Sequence, residues 1–260
     1  MSTPPVGEGA GCVLLGVRLE AVSFSEALER MGAFAAGSRP RTVVTVNLDF
    51  LARARRDPQF RDLLNRADLR VADGMPLVWA SRLLGRPLPE RVAGIDLFEA
   101  FATRAAARGF RIFLLGAAPG VAERAAAALR ERSPGLQVAG THSPPIGFEG
   151  SPSHEAEALR LVEAARPHAL FTALSTPRGQ RWIERLSRTV PVPLSVEVGA
   201  AFDVVSGGVR RAPAPLRRAG LEWLVRLARE PRRLGRRYLV RDLAGLGFLL
   251  ADAWKRRART

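Results

Sequence analysis

The strongest constraint on this chain is alternation. Short aliphatic or β-branched runs take turns with helical patterns, and Gly or Pro corners separate them. Cys12–Arg18 (CVLLGVR) reads as a first strand. Ser23-Phe24-Ser25-Glu26 has capping-box spacing and opens a helix. Thr42–Asn47 (TVVTVN) reads as a buried strand from its β-branched content. Leu48–Arg56 continues as helix, and Asp57-Pro58 starts another with Asp as N-cap and Pro in the first helical position. Strands follow at 69–72, 110–115, 136–140, 168–174 and 194–198. The helical patterns between them cover 95–108, a stretch ending at Arg132, 153–165 and 178–187; residues 141–152 form an irregular Pro/Gly/Ser loop. Strand and helix in such regular exchange predict an α/β fold: a Rossmann-like, mostly parallel sheet with helices on both faces.

In an open sheet of that kind, ligands bind outside the carboxyl ends of the strands. The stretch Val71–Asp96 (VADGMPLVWASRLLGRPLPERVAGID) places Asp73 at such an end and brings Arg91, Gly94 and Asp96 into the following loop. A carboxylate and a guanidinium at a cleft suit a base and an anion clamp. The same residues also suit an Asp-Gly turn or helix N-cap, with Arg91 and Asp96 as a surface ion pair. Thr45 and Asn47 close the preceding strand and reach the same edge if the two strands are neighbours; Asn47 also reads as an N-cap. Gly116-Ala-Ala-Pro-Gly120 follows a strand and opens a helix, a corner that offers free N–H groups to a phosphate and is equally a common packing feature.

Other chemistries lack their residues. The three histidines are scattered, one cysteine is present and D-x-D is absent, so no metal and no cofactor is expected. No G-x-S-x-G supports a serine hydrolase, and no early G-x-G-x-x-G supports a nicotinamide enzyme. The lone Cys12 excludes an internal disulfide and fits a reducing compartment. The N-terminal residues lack the basic and apolar regions of a signal peptide.

Charge marks a boundary. Residues 208–260 hold fifteen basic against four acidic residues, +11, whereas 25 against 21 leave +4 over residues 1–207. A GC-rich genome would explain Arg in place of Lys, but not this asymmetry. We therefore expect a catalytic unit over 1–207 and a basic, amphipathic, helical appendage over 208–260, with helices at 221–229 and 232–255 separated by Pro231. Its longest charge-free run, Leu243–Ala251, is far short of the roughly 20 residues a membrane span needs. A basic face with Trp and Leu suits an anionic membrane surface. The competing reading is a non-enzymatic nucleic-acid-binding protein with a basic arm, but no helix-turn-helix, zinc finger or aromatic RNA-binding motif accompanies the charge.

Four stretches in order complete the picture: Thr45-Val-Asn47; Asp73-Gly74 with Arg91-Val-Ala-Gly-Ile-Asp96; Gly199-Ala-Ala-Phe-Asp203; and Arg211-Ala-Pro213 followed by GLEWLVRLAREPRRLGRRY. Together they resemble the WecG/TagA/CpsF family of bacterial glycosyltransferases across residues 12–241. The resemblance implies a GT-E-like fold and an inverting, metal-independent enzyme of cell-surface polysaccharide synthesis. It implies transfer of an N-acetylmannosamine-type hexose or uronic acid from a UDP-sugar to a polyprenyl-diphosphate-linked sugar, at the cytoplasmic face of the membrane, with no nucleic-acid partner. A homo-oligomer stays open. Carried over by position, Asp73 is the catalytic base, with Thr45 and Asn47 lining its pocket. Arg91, Asp96, Gly116, Gln180, Gly199 and Asp203 fall to substrate and phosphate, and Arg211, Arg217, Arg218, Arg226, Arg232, Arg233, Arg236 and Arg237 to lipid. One stretch departs from the family. Where the pattern is G-x-P-K-Q-E-x-W, this chain has Ser175-Thr-Pro177-Arg-Gly-Gln-Arg-Trp182, so Gly179 stands at the Gln position and Gln180 at the Glu position.

Overall fold

The computed structural model describes residues 11–213, 216, 222–229 and 247–249. Arg217, Arg218, Arg232, Arg233, Arg236 and Arg237 lie outside these residues, as does the helix expected over 232–255 apart from a helical stretch at 247–249.

Six strands form one parallel sheet: β3 (Arg41–Val46), β4 (Leu69–Ala72), β5 (Arg111–Gly116), β6 (Gln137–His142), β7 (Ala169–Ala173) and β8 (Leu194–Glu197), in the spatial order β4-β3-β8-β7-β5-β6. The helices sort by the direction of the connection they make, as right-handed crossovers require. Connections running toward β6 use α5 (Gly94–Arg108) and α6 (Val121–Arg132), and both pack on one face of the sheet. Connections running back toward β4 use α2 (Leu48–Arg56), α3 (Pro58–Arg66), α7 (Pro152–Ala165) and α8 (Arg178–Thr189), which cover the other. The incoming helix α1 (Phe24–Ala36) joins the α5 face, whereas α4 (Met75–Leu83) joins the α2 face.

Local signals explain most boundaries. The Ser23–Glu26 capping box forms reciprocally at the start of α1. The Asp57 carboxylate accepts from the Phe60 N–H, and Pro58 occupies the first turn of α3. The run expected as one strand at 12–18 is instead a hairpin, β1 (Gly11–Leu14) and β2 (Val17–Glu20). Leu15 and Gly16 have φ of 49° and 83°, so two consecutive left-handed residues turn the chain back on itself. Leu15 is itself buried, which is why the turn hides inside an apolar run. Glu20 anchors this hairpin to β4, accepting from the Arg70 N–H at 2.7 Å and pairing with the Arg70 guanidinium. The loop expected at 141–152 begins as the end of β6 and contains a 3-10 turn at Phe148–Gly150. A five-residue helix, α9 (Ala201–Val205), follows β8 without a sequence signal long enough to announce it.

The core on the α5 face centres on aromatic rings. Phe98 of α5 lies 4.8 Å from Phe171 of β7 and 5.2 Å from Phe202 of α9, centroid to centroid, and all three are fully buried. Helix, sheet and the turn after β8 therefore meet at one side chain. Phe98→Ala is expected to lower stability by about 3–5 kcal/mol, the usual result of deleting a buried ring. Urea unfolding would show this as a lower midpoint at unchanged slope.

Candidate active site

The pairing of β3 with β4 aligns Thr45 with Val71 and Val46 with Ala72. One residue further on, the Asp73 N–H donates to the Val46 carbonyl at 2.7 Å. This bond carries the ladder past the last strand residue and sets Asp73 next to Asn47 at the carboxyl edge. Gly74 then turns the chain into α4 with φ of 153°, a value open to glycine and not to ordinary side chains. Gly74 is the N-cap of α4, and no side chain caps that helix. Asn47 does act as a cap: its Oδ1 accepts from the Phe50 N–H at 3.1 Å. Thr45 is buried beneath Gly94, where an added Cβ would come 3.0 Å from the Thr45 hydroxyl. A glycine at the start of α5 thus lets the helix terminus close over this threonine. Thr45, Asn47 and Asp73 are brought together as the sequence implied.

Arg91 and Asp96 meet too, but in company. Asp96 Oδ2 lies 3.4 Å from Arg91 Nη2, and Asp96 Oδ1 lies 2.5 Å from Arg211 Nη1. Glu222 closes the figure, with Oε2 3.3 Å from Arg91 Nη1 and Oε1 3.3 Å from Arg211 Nε. The result is a ring of four alternating charges that joins the β4–α5 connection to the segment after α9 and to the helix Glu222–Arg229. Arg211, expected to face lipid, has a side chain only 14% exposed and points at carboxylates. Burial acts to lower the affinity of its guanidinium for the proton, and the pairs with Asp96 and Glu222 outweigh burial, so its pKa is raised. The ring crosses the boundary placed at residue 207. A cavity of about 850 Å³ opens beside Arg91 and Asp96 and runs along the outer face of α5 to Thr103, Leu129 and Ser133.

The other half of the edge is built by β5, β7 and β8. The connections from β5 and β7 leave in opposite directions, the topology that opens a crevice between strand ends. Gly116 has a packing reason: a Cβ there would come 2.6 Å from the Ala173 carbonyl oxygen. The N-terminus of α6 that follows has Gly120 as N-cap and no side-chain cap. Asp203 sits in the first turn of α9, and its carbonyl accepts from the Val209 N–H at 2.9 Å, turning the chain toward Arg211. Gln180 is buried, and among the described residues neither its Oε1 nor its Nε2 has a hydrogen-bond partner. An amide left in that state is costly and normally marks a place filled by a ligand or water.

Glu197 was missed in the sequence. Its side chain is buried at the end of β8, where its carboxylate accepts from the Thr172 hydroxyl, from the Leu174 N–H at 3.0 Å and from the Gly199 N–H at 3.1 Å. Burial pushes its pKa from 4.5 up to about 8, against the opposing pull of those hydrogen bonds. The signal was present: an acid inside SVEV breaks the apolar run expected of a strand covered on both faces.

Comparison with known proteins decides the family. The model for the glycosyl transferase WecG/TagA/CpsF family matches residues 12–259. The chain belongs to this family. Similar curated proteins include one from Bacillus spizizenii, 32% identical over 191 residues, covering 74% of this chain and 72% of that protein. Another, from Staphylococcus aureus, is 28% identical over 225 residues and covers 86% of each. Both are named N-acetylglucosaminyldiphosphoundecaprenol N-acetyl-beta-D-mannosaminyltransferase. As a member of the WecG/TagA/CpsF family this chain is a hexosyltransferase, and the reading as a non-enzymatic nucleic-acid-binding protein is set aside. The matched range also takes in the whole Asp96–Arg211–Glu222 ring.

Glu197 gives a pH signature. With a folded pKa near 8 and an unfolded value near 4.5, the folded chain keeps a proton that the unfolded chain releases. Its contribution is therefore fully present below about pH 4.5 and is lost as pH rises to about 8. Thermal unfolding of wild type should decline relative to Glu197→Gln across that window, with the difference level above it.

Proposed function

We propose that this chain transfers an N-acetylmannosamine-type sugar from UDP to polyprenyl-diphosphate-linked N-acetylglucosamine, by an inverting, metal-independent displacement. The placement of Asp73 carries the reading: a half-buried carboxylate, fixed through its own N–H to Val46, beside Asn47 and Thr45 at the edge of a parallel sheet. The names of the relatives support the donor sugar and the acceptor.

In this reading Asp73 takes the proton from an acceptor hydroxyl. The hydroxyl oxygen forms a bond to the anomeric carbon of the donor as the bond from that carbon to the UDP oxygen breaks, and the electron pair leaves with the β-phosphate. A single displacement inverts the configuration. The Asn47 amide nitrogen donates to the donor or acceptor while its Oδ1 remains a helix cap. The uncapped N-terminus of α6 offers N–H groups to the departing phosphate. Gln180, Gly199 and Asp203 line the β7–β8 side, with the buried Gln180 amide completed by substrate.

Residues 1–207 form the catalytic unit, and 208–260 bring it to an anionic surface at the inner face of the cytoplasmic membrane. Among the described residues no helix is long and apolar enough to cross a membrane. Arg217, Arg218, Arg226, Arg232, Arg233, Arg236 and Arg237 supply the charge for such a contact.

A panel of UDP-sugars offered with a short-chain polyprenyl-diphosphate-N-acetylglucosamine should yield a lipid-linked disaccharide with one donor; no product from any donor would overturn the reading. Asp73→Asn should fold like wild type and lose transfer by roughly 100-fold or more, the scale of a lost general base; near-normal turnover would remove Asp73 from that role. Exchange of Arg232, Arg233, Arg236 and Arg237 for Glu in the full chain should abolish sedimentation with anionic vesicles, and unchanged sedimentation would remove the basic segment from membrane binding.

A further inference from the structure

We propose that Glu197 is a positioning residue of the transfer site: its carboxyl occupies the space left open by Gly179 and clamps together the loops that leave β7 and β8. The inference deepens the glycosyl-transfer reading and rests on it for its kinetic consequence.

The geometry begins with the sheet. Val196 and Val198 belong to the core on the α5 face, so Glu197 between them projects to the α8 face. A buried acid there is of no use to packing, since an aliphatic side chain would fill the site with no charge or polar group to desolvate. What the carboxyl does is bind backbone N–H groups just past two strand ends, the first after β7 and the second after β8. Leu174 follows β7 and Gly199 follows β8, and both donate to it. The Thr172 hydroxyl, reaching from β7 on the same face, donates as well. Among the described residues, these three donors are its partners, and no charged group faces it.

Gly179 makes this arrangement possible. It lies in the first turn of α8, and a Cβ built there would come 2.8 Å from the Glu197 carboxyl carbon and 3.2 Å from Leu174 Cβ. A side chain at 179 and the Glu197 carboxyl therefore exclude each other. The family pattern carries Gln at this position, and here the polar group arrives from the strand instead of the helix. The departure from the pattern is thus a relocation of a polar head, with Gly179 and Glu197 as its two halves.

The loops so joined are the ones that border the β7–β8 side of the edge. One runs from Leu174 into Gln180, the residue with the unpartnered buried amide, and the other from Gly199 to Asp203. A carboxyl shared by both fixes their separation, and small displacements of positioning groups are expensive to catalysis. Burial keeps it protonated up to about pH 8, and in that state its O–H turns to the Thr172 hydroxyl oxygen while its other oxygen accepts the two N–H groups, so it needs no counter-charge to stay inside the sheet.

The reciprocal exchange tests this. Full-length wild type, Glu197→Gly, Gly179→Ala and the double variant Glu197→Gly/Gly179→Gln are compared by amide hydrogen exchange and by transfer kinetics with UDP-N-acetylmannosamine and the short-chain acceptor. Glu197→Gly should speed exchange about tenfold or more in 174–180 and 197–203 while leaving β5 unchanged, as a local opening does. Adding Gly179→Gln should restore protection in both segments. The loss of turnover should fall on kcat by roughly 10- to 100-fold, with KM little changed, and should be recovered in the double variant. Glu197→Gln should keep most of the turnover and lose the kcat inflection near pH 8. If Glu197→Gly does not fold, Gly179→Ala should show the same paired loosening. The proposal is overturned by exchange that changes nowhere, by exchange that rises equally throughout, or by a double variant no better protected than Glu197→Gly. Wild type that transfers no sugar would defeat the functional reading alone, and the exchange data would still decide the clamp.

Discussion

All six strands run the same way, and most of the rest follows from that. A parallel sheet sends every strand to the same edge and commits the return path to a helix. Groups of the candidate site therefore need no long loops to meet. Thr45, Asn47, Asp73, Gly116, Leu174 and Gly199 belong to or follow strands and converge because their strands end together. Sheet hydrogen bonding supplies the precision, since the Asp73 backbone is located by the next rung of the β3–β4 ladder. The arrangement also sets the cost. Polar groups at the ends of central strands are covered by helices on both faces, so each must find a partner. Glu197 finds three donors, whereas the Gln180 amide finds no hydrogen-bond partner among the described residues.

The ring of Arg91, Asp96, Arg211 and Glu222 joins this edge to the basic segment. Its four side chains are between 12% and 29% exposed, an intermediate setting in which charges are poorly screened yet not fully desolvated. Removing one member would leave a half-buried charge of one sign in excess, which is why such rings hold segments in place even where their net contribution to stability is small. The ion pairs of Arg211 and Glu222 thus reach back across the jump in composition after residue 207. Arg211 reads as one more arginine in a basic tail, and it pairs with Asp96 of α5 and with Glu222.

Most of the sheet was legible because buried parallel strands and capped helices have local signatures. TVVTV could hardly be anything but strand, and the Ser23 and Asp57 caps are where their sequences put them. The hairpin at 11–20 was not legible as two strands. Its turn is made by Leu15 and Gly16 in left-handed conformations, and a buried leucine in that state looks like any other apolar residue. The Asp73 constellation was readable as soon as β3 and β4 were taken as neighbours. The ring was not, because Arg91 and Glu222 are 131 residues apart and charge pairing at that distance leaves no periodicity. Gly179 stood out as an irregularity in a pattern, but its meaning lay in a strand 18 residues later, on a neighbouring element, and only coordinates bring the two together.

Electrostatic balance gives the basic segment a further reason within the proposed reaction. The ring is neutral, with two guanidiniums matched to two carboxylates. A UDP-sugar and a polyprenyl diphosphate each bring a diphosphate, and the ring has no surplus cation to offer them. Arg91 turns Nη1 to Glu222 and Nη2 to Asp96, so a phosphate that drew on its remaining N–H groups would share a guanidinium whose charge is already matched. Helix N-termini supply partial charges at most. Whole positive charges would then come from arginines outside the ring, among them Arg124 beside the start of α6 and Arg178 at the start of α8, and the last 53 residues add a net +11. In the proposed reaction, the charge expected to attract a membrane surface would also be available to offset the diphosphates, and Arg211 and Glu222 tie the described part of that segment to Arg91 and Asp96.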